Sequence, residues 1–124
     1  MTDFIARDET ATLISADKVE GTAVFNHDGE KLGSVEDVML DKRQGNVAFA
    51  VMSFGGFLGM GEKHHPLPWD TLDYDEDRDG YVVNLSKEKL EDAPTIERNE
   101  TNRLYDRSYG EKVYGYYGVQ PYWN

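Results

Sequence analysis

The stretch VEGTAVFNHDGEKLGSVEDVMLD, residues 19–41, decides the fold. It reads as two β-strands joined at Asn26-His27-Asp28-Gly29. Gly21-Thr22-Ala23-Val24-Phe25 is small and β-favouring, with Ala23 and Phe25 on one face and Thr22 and Val24 on the other. Asp28-Gly29 supplies the left-handed backbone of a tight turn, because glycine has no Cβ to clash. The chain returns through Leu32 to Leu40, and there the alternation slips. Val35 and Met39 share one parity, Val38 and Leu40 the other. This predicts a bulge or strong twist near Glu36-Asp37, with Gly33 marking a bend in the same strand. Such features curl a sheet.

Working outward, Asp41 to Asn46 is a polar turn, and Val47-Ala48-Phe49-Ala50-Val51-Met52-Ser53-Phe54 follows. Both parities of this run are apolar, so it reads as a strand covered on both faces at the centre of the sheet. A helix is the rival, but the run is short and glycine bounds it at each end. Pro66 and Pro68 suit an edge strand, since neither can donate a ladder hydrogen bond. Trp69 and Leu72 are expected to pack back on the core, with Asp70 starting a turn. Asp73 to Gly80 is an acidic turn, and Tyr81, Val83 and Leu85 form one face of the strand after it. Ser86 looks like a helix cap, with Leu85 and Leu90 spaced as a hydrophobic staple and the helix ending before Pro94. Upstream, Leu13 to Val19 carries a short helical turn capped by Ser15. Residues 1–12 read as a flexible arm, 13–94 as one domain, and 95–124 as a tyrosine-rich extension.

The chain has 124 residues, enough for one core, and a net charge of −11 from 24 acidic and 13 basic residues. This balance disfavours nucleic acid and anionic membranes, both of which need basic surface. There is no cysteine, hence no disulfide, thiol chemistry or thiolate site. The N-terminus lacks a signal peptide's basic start and apolar core, so a cytoplasmic location is expected. The uncharged run from Gln44 to Gly61 contains five glycines and does not read as a membrane span.

Gly55 to Gly61 imitates a phosphate loop, but Glu62 stands where its lysine belongs and His65-Pro66 follows in place of a helix. Phe57, Leu58 and Met60 form either an apolar tip for a protein partner or a plug over an open barrel end. His64 and His65 are adjacent, so on a strand they point to opposite faces and cannot share one ion. No serine lies in a nucleophile elbow. A structural role at the bulge is expected for Glu36 and Asp37. Asp75, Asp77 and Asp79, with Gly80 next, imitate the first half of a calcium loop, but the closing carboxylate position is Ser86. Six of the eight tyrosines fall at 105, 109, 114, 116, 117 and 122. Gly110, Gly115, Gly118 and Pro121 predict that no long element forms there, only a short helix from about Thr101 to Ser108. These rings are expected to pack on the barrel or on a neighbouring copy, because aromatics are the usual anchors of interfaces.

The chain from about Leu13 to Pro94 resembles the PRC-barrel family. The resemblance rests on the Gly21 to Asn26 strand, Asp28-Gly29-Glu30-Lys31-Leu32-Gly33, and Val35-Glu36-Asp37-Val38-Met39-Leu40-Asp41. The Gly55 to Gly61 loop running into His65-Pro66-Leu67-Pro68-Trp69 adds to it. It implies a mainly β fold: a small, partly open antiparallel barrel with short helices. Similar domains are the cytoplasmic part of the photosynthetic reaction-centre H subunit and one domain of a ribosome maturation factor. The implied role is a non-enzymatic adaptor without cofactor. The expected contacts are Phe57, Leu58, Met60, Tyr114, Tyr116, Tyr117, Tyr122 and Trp123, and the expected partner is a second copy or another protein. A calcium or small-ligand barrel using Asp75 to Asp79 is the alternative.

Overall fold

The computed structural model describes residues 13–54, 63–97 and 99–123. Helix α1 (Ala16–Val19) leads into β1 (Ala23–Asn26), β2 (Lys31–Leu40), β3 (Val47–Phe54) and β4 (Lys63–Pro68). A 3₁₀ turn at Trp69–Thr71 precedes β5 (Asp73–Asp75) and β6 (Gly80–Val83). Then come α2 (Lys87–Glu91), a second 3₁₀ turn at Thr101–Tyr105, and α3 (Arg107–Tyr117). The strands form one sheet in the order β4-β3-β2-β1-β6-β5, with β4 and β5 as unjoined edges. The fold is mainly β and partly open, as the sequence predicts. One pairing differs from the expected antiparallel scheme: β6 lies parallel to β1. The direction of β6 follows from its hairpin with β5, and the chain between β1 and β6 is long enough to serve as the crossover that a parallel pair needs.

The central hairpin is built around one side chain. Buried Asn26 accepts from the backbone N–H groups of Asp28 and Glu30, both at 3.0 Å, and its Nδ2 donates to Glu30 Oε1 at 2.9 Å. An asparagine that bonds its own backbone two residues on holds a turn without help from the sheet. Against β3, the register of β2 slips between Val35 and Asp37, where the parity of the sequence slips. At Gly33 the neighbouring strand comes so close that a Cβ would lie 1.7 Å from the Ser53 carbonyl oxygen. Only glycine permits that approach, so the bend belongs to the sequence itself.

β3 separates two cores. Its even positions Ala50, Met52 and Phe54 face the barrel interior with Val24, Val35, Leu67, Tyr81, Val83 and Leu90. Phe49 and Val51 face outward with Ile96, Leu104, Tyr109, Val113 and Tyr114. Trp69 and Leu85 pack on the inner cluster. α2 reaches that cluster through Leu90, and its N-cap is Ser86, whose Oγ accepts from the Lys89 N–H at 3.0 Å. Ser15 occupies the N-cap position of α1 without a side-chain cap bond.

The tail differs from expectation. In place of a short helix ending near Ser108 with broken chain beyond, α3 runs for 11 residues through Gly110 and Gly115 and stops at left-handed Gly118. Two effects outweigh the helix-weakening glycines. Tyr109, Val113 and Tyr114 repeat at helical spacing and bury one face on β3. Gly110 also leaves room for Trp123, whose Cζ3 would be 3.2 Å from a Cβ there.

Candidate interaction surface

β4 is an edge strand whose Pro66 and Pro68 cannot donate to a further strand. The chain leaving α2 crosses this edge from the inner face to the outer one. Three consecutive residues are fastened as it crosses. His65 Nδ1 lies 3.2 Å from the Pro94 carbonyl, Tyr109 Oη donates to the Thr95 carbonyl at 2.6 Å, and Ile96 N–H donates to the His64 carbonyl at 2.9 Å. A carbonyl only accepts, so neutral His65 carries its proton on Nδ1. Its Nε2 is buried with no hydrogen-bond partner. Burial pushes the His65 pKa down to about 4, the Pro94 carbonyl opposes that shift, and Lys63 and His64 add to it.

His64 points to the other face, as alternation requires, and its Nδ1 lies 2.7 Å from Glu36 Oε2. Glu36 thus ties the β2 bulge to the edge strand. Ser34 and Ser53 meet beside them, with Oγ atoms 3.4 Å apart. Sequence reading placed both histidines on opposite faces and missed their anchoring role, because the partners of His65 and of the His64 carbonyl lie 29 and more residues further on.

Of the aromatic residues singled out in the tail, Tyr114 is 3% exposed and its hydroxyl donates to the Ala48 carbonyl. Burial raises its pKa, as it does for Tyr117. Tyr116, Tyr117, Tyr122 and Trp123 are half-buried. Tyr122 and Trp123 meet edge to face at 4.8 Å, and Arg107 lies over the Trp123 ring at 4.7 Å. Tyr116 donates to the Lys89 carbonyl, joining α3 to α2. Tyr105, one of the six tail tyrosines expected to pack, is 77% exposed, and Leu40, which sequence reading did not select, is 57% exposed. Phe57, Leu58 and Met60 lie outside the described residues.

The acidic turn holds its own carboxylates. Asp75 accepts from the Asp77 N–H at 2.9 Å and lies 3.8 Å from Arg78 Nε, while Asp79 accepts from the Tyr74 hydroxyl at 2.6 Å. Among the described residues no group of three or more histidine, cysteine, aspartate or glutamate side chains is arranged to hold a metal ion. An open recess of about 260 Å³ at the start of α3 is lined by Arg103, Asp106, Ser108, Tyr109 and Lys112. The Asp106 carboxylate already takes the helix N-terminus, accepting from Ser108 N–H and Oγ. No helix among the described residues is long and apolar enough to cross a membrane.

A curved, open six-stranded sheet whose outer face is covered by its own aromatic extension defines a small β-barrel scaffold. Residues 11–90 match the family model of the PRC-barrel domain, and the chain belongs to that family. No curated protein matches the chain. PRC-barrel domains are in general non-catalytic modules of the protein-interaction type.

Proposed function

We propose that this chain is a non-enzymatic, cytoplasmic assembly module that associates with a second copy of itself. The observation that carries this reading is the half-buried set Tyr116, Tyr117, Tyr122 and Trp123, which the chain's own body covers only in part. Amphipathic rings of this kind, with one side packed and the other in water, dominate the energetics of protein interfaces. Phe57, Leu58 and Met60 extend the surface in this reading, and Tyr114 supports the rings from beneath. The net charge of −11 opposes self-association over acidic faces and directs contact to the ring-bearing side.

Sedimentation velocity at micromolar concentration tests the proposal. The wild type is expected to sediment as a dimer or larger. Tyr122→Ser with Trp123→Ser, and separately Phe57→Ser with Leu58→Ser, are each expected to shift it toward monomer. A wild type that stays monomeric at all concentrations would refute the reading. The calcium alternative has no comparable support, since the carboxylates of Asp75 and Asp79 are bonded within their own hairpin.

A further inference from the structure

The Pro94-Thr95-Ile96 crossing is the only described tether that sits directly on a titratable side chain of the inner core. Tyr109 holds Thr95 from α3 itself, and the His64 carbonyl holds Ile96, but the first of the three fastenings is the His65 ring. We propose that this crossing is an acid-released clasp: a proton on His65 frees residues 95–123 from the outer face of the sheet while the strands stay paired.

The physical reason lies in what surrounds the ring. His65 is fully buried, opposite Met52 in register and edge to face with the Phe54 ring at 5.5 Å. The segment after α2 offers it the Pro94 carbonyl, and the Nδ1–H uses that. A second proton goes to Nε2, which has no acceptor. The charged and titratable groups that bear on the ring are Lys63 and His64 of its own strand, and both oppose further positive charge. Glu36 of β2 is engaged by His64 on the opposite face and does not offset it. An imidazolium without an acceptor must reach water. β4 is an edge strand, and the chain that crosses it is the Pro94 segment. Freeing residues 95–123 breaks the His65–Pro94, Ile96–His64, Tyr114–Ala48 and Tyr116–Lys89 hydrogen bonds and keeps the Tyr109–Thr95 bond within the arm; opening the interior breaks the β2–β3 and β3–β4 ladders. The crossing gives way first. Its release uncovers Phe49 and Val51, which α3 otherwise covers.

The sign follows from linkage. An unfolded or released histidine takes a proton near 6.5, the clasped one only near 4. Closure is therefore favoured above that window and lost as pH falls through it. Hydrogen exchange of the full chain, corrected for intrinsic rate, tests this from pH 7.5 to 4. Amides of α3 are expected to lose protection on the order of a hundredfold across the window, while β2 and β3 keep theirs. In His65→Asn the amide nitrogen can still donate to Pro94 but nothing titrates, so the step should vanish. Loss of α3 and β3 protection together, no loss in α3, or an unchanged step in His65→Asn would each overturn the proposal. If His65→Asn fails to fold, carbon-13 labelled histidine in the wild type decides. The His65 ring must titrate well below 6.5, at the acid end of the window over which α3 protection falls; a ring that titrates near 6.5 sinks the clasp.

Discussion

The two faces of β3 are covered by different means. The inner face is closed by the sheet's own curl: Val24, Val35, Leu67, Tyr81 and Val83 come from other strands, and α2 adds only Leu90 as a plug. The outer face is closed by a segment from the far end of the chain, through aromatic edges and phenol hydroxyls that reach back to carbonyls of the barrel domain. Tyr114 donates to Ala48 and Tyr116 to Lys89. The Phe49 ring meets Tyr114 at 5.3 Å and Tyr122 at 6.0 Å. The inner core is thus made by strand pairing, whereas the outer core is covered by an arm that contributes no strand to the sheet. Stability is expected to be graded accordingly, with the C-terminal arm as the weaker cooperative unit.

The largest expected effect is at the bend that makes the inner core possible. Gly33→Ala sets a Cβ against the Ser53 carbonyl, a backbone atom of a central strand that cannot move alone. A loss of about 4 kcal/mol or more is expected, enough to unfold a marginal small domain. Urea denaturation followed by circular dichroism reads it. A variant within about 1 kcal/mol of wild type would mean that the β2–β3 approach is adjustable and the curl is not set there.

The barrel was legible in the sequence because its signals are local. Asp28-Gly29 marks the turn, the parity slip at Val35 to Val38 marks the bulge, and the doubly apolar run at 47–54 marks a strand between two layers. The direction of β6 was not legible, since no residue near Gly80 records which free edge its hairpin will join. The arm was half legible. Its rings announced burial, but the glycines at 110 and 115 argued against the helix that carries them. That argument fails because Gly110 answers to Trp123, thirteen positions later, a contact with no local trace. The fastening of Pro94 by His65 was equally hidden, although His64-His65-Pro66 on a predicted edge strand was in plain view.

A pair of truncations sharpens the contrast between the faces. Met52→Ala and Phe49→Ala remove fully buried side chains from opposite sides of one strand. Each is expected to cost about 3 kcal/mol, within the usual range for large-to-small core changes. Their distribution should differ. Met52→Ala lowers exchange protection across β2, β3 and β4 alike, whereas Phe49→Ala lowers it first in α3. Equal profiles from the two variants would show one cooperative unit in place of two.

Tyr114→Phe is a smaller step on the outer face. It keeps the ring and removes the hydroxyl that donates to the Ala48 carbonyl. The expected cost is about 1 kcal/mol, the usual net worth of such a bond with a buried acceptor left behind. It should appear in α3 exchange and in Trp123 fluorescence, since the Tyr114 and Trp123 rings meet at 5.7 Å. No effect on either would mean that ring packing alone holds the arm.

The smallest effect belongs to the hairpin tip, remote from both cores. Lys87 Nζ lies 3.2 Å from Glu30 Oε2 across an exposed surface. The Asn26 side chain, and after it Lys87, holds the Glu30 carboxyl below its ordinary pKa. A depressed carboxylate contributes above its unfolded pKa and loses that contribution as pH falls through its folded one. The group is solvated, however, and water and salt screen the pair. Lys87→Ala is therefore expected to leave the unfolding free energy from urea denaturation unchanged at neutral pH, whereas Asn26→Ala lowers it by about 1–2 kcal/mol through the lost turn bonds. A Lys87→Ala shift as large as that of Asn26→Ala, unaltered by salt, would show that the tip is held by charge across α2. The turn's own asparagine would then be secondary, and the hairpin would owe its shape to the helix that plugs the barrel.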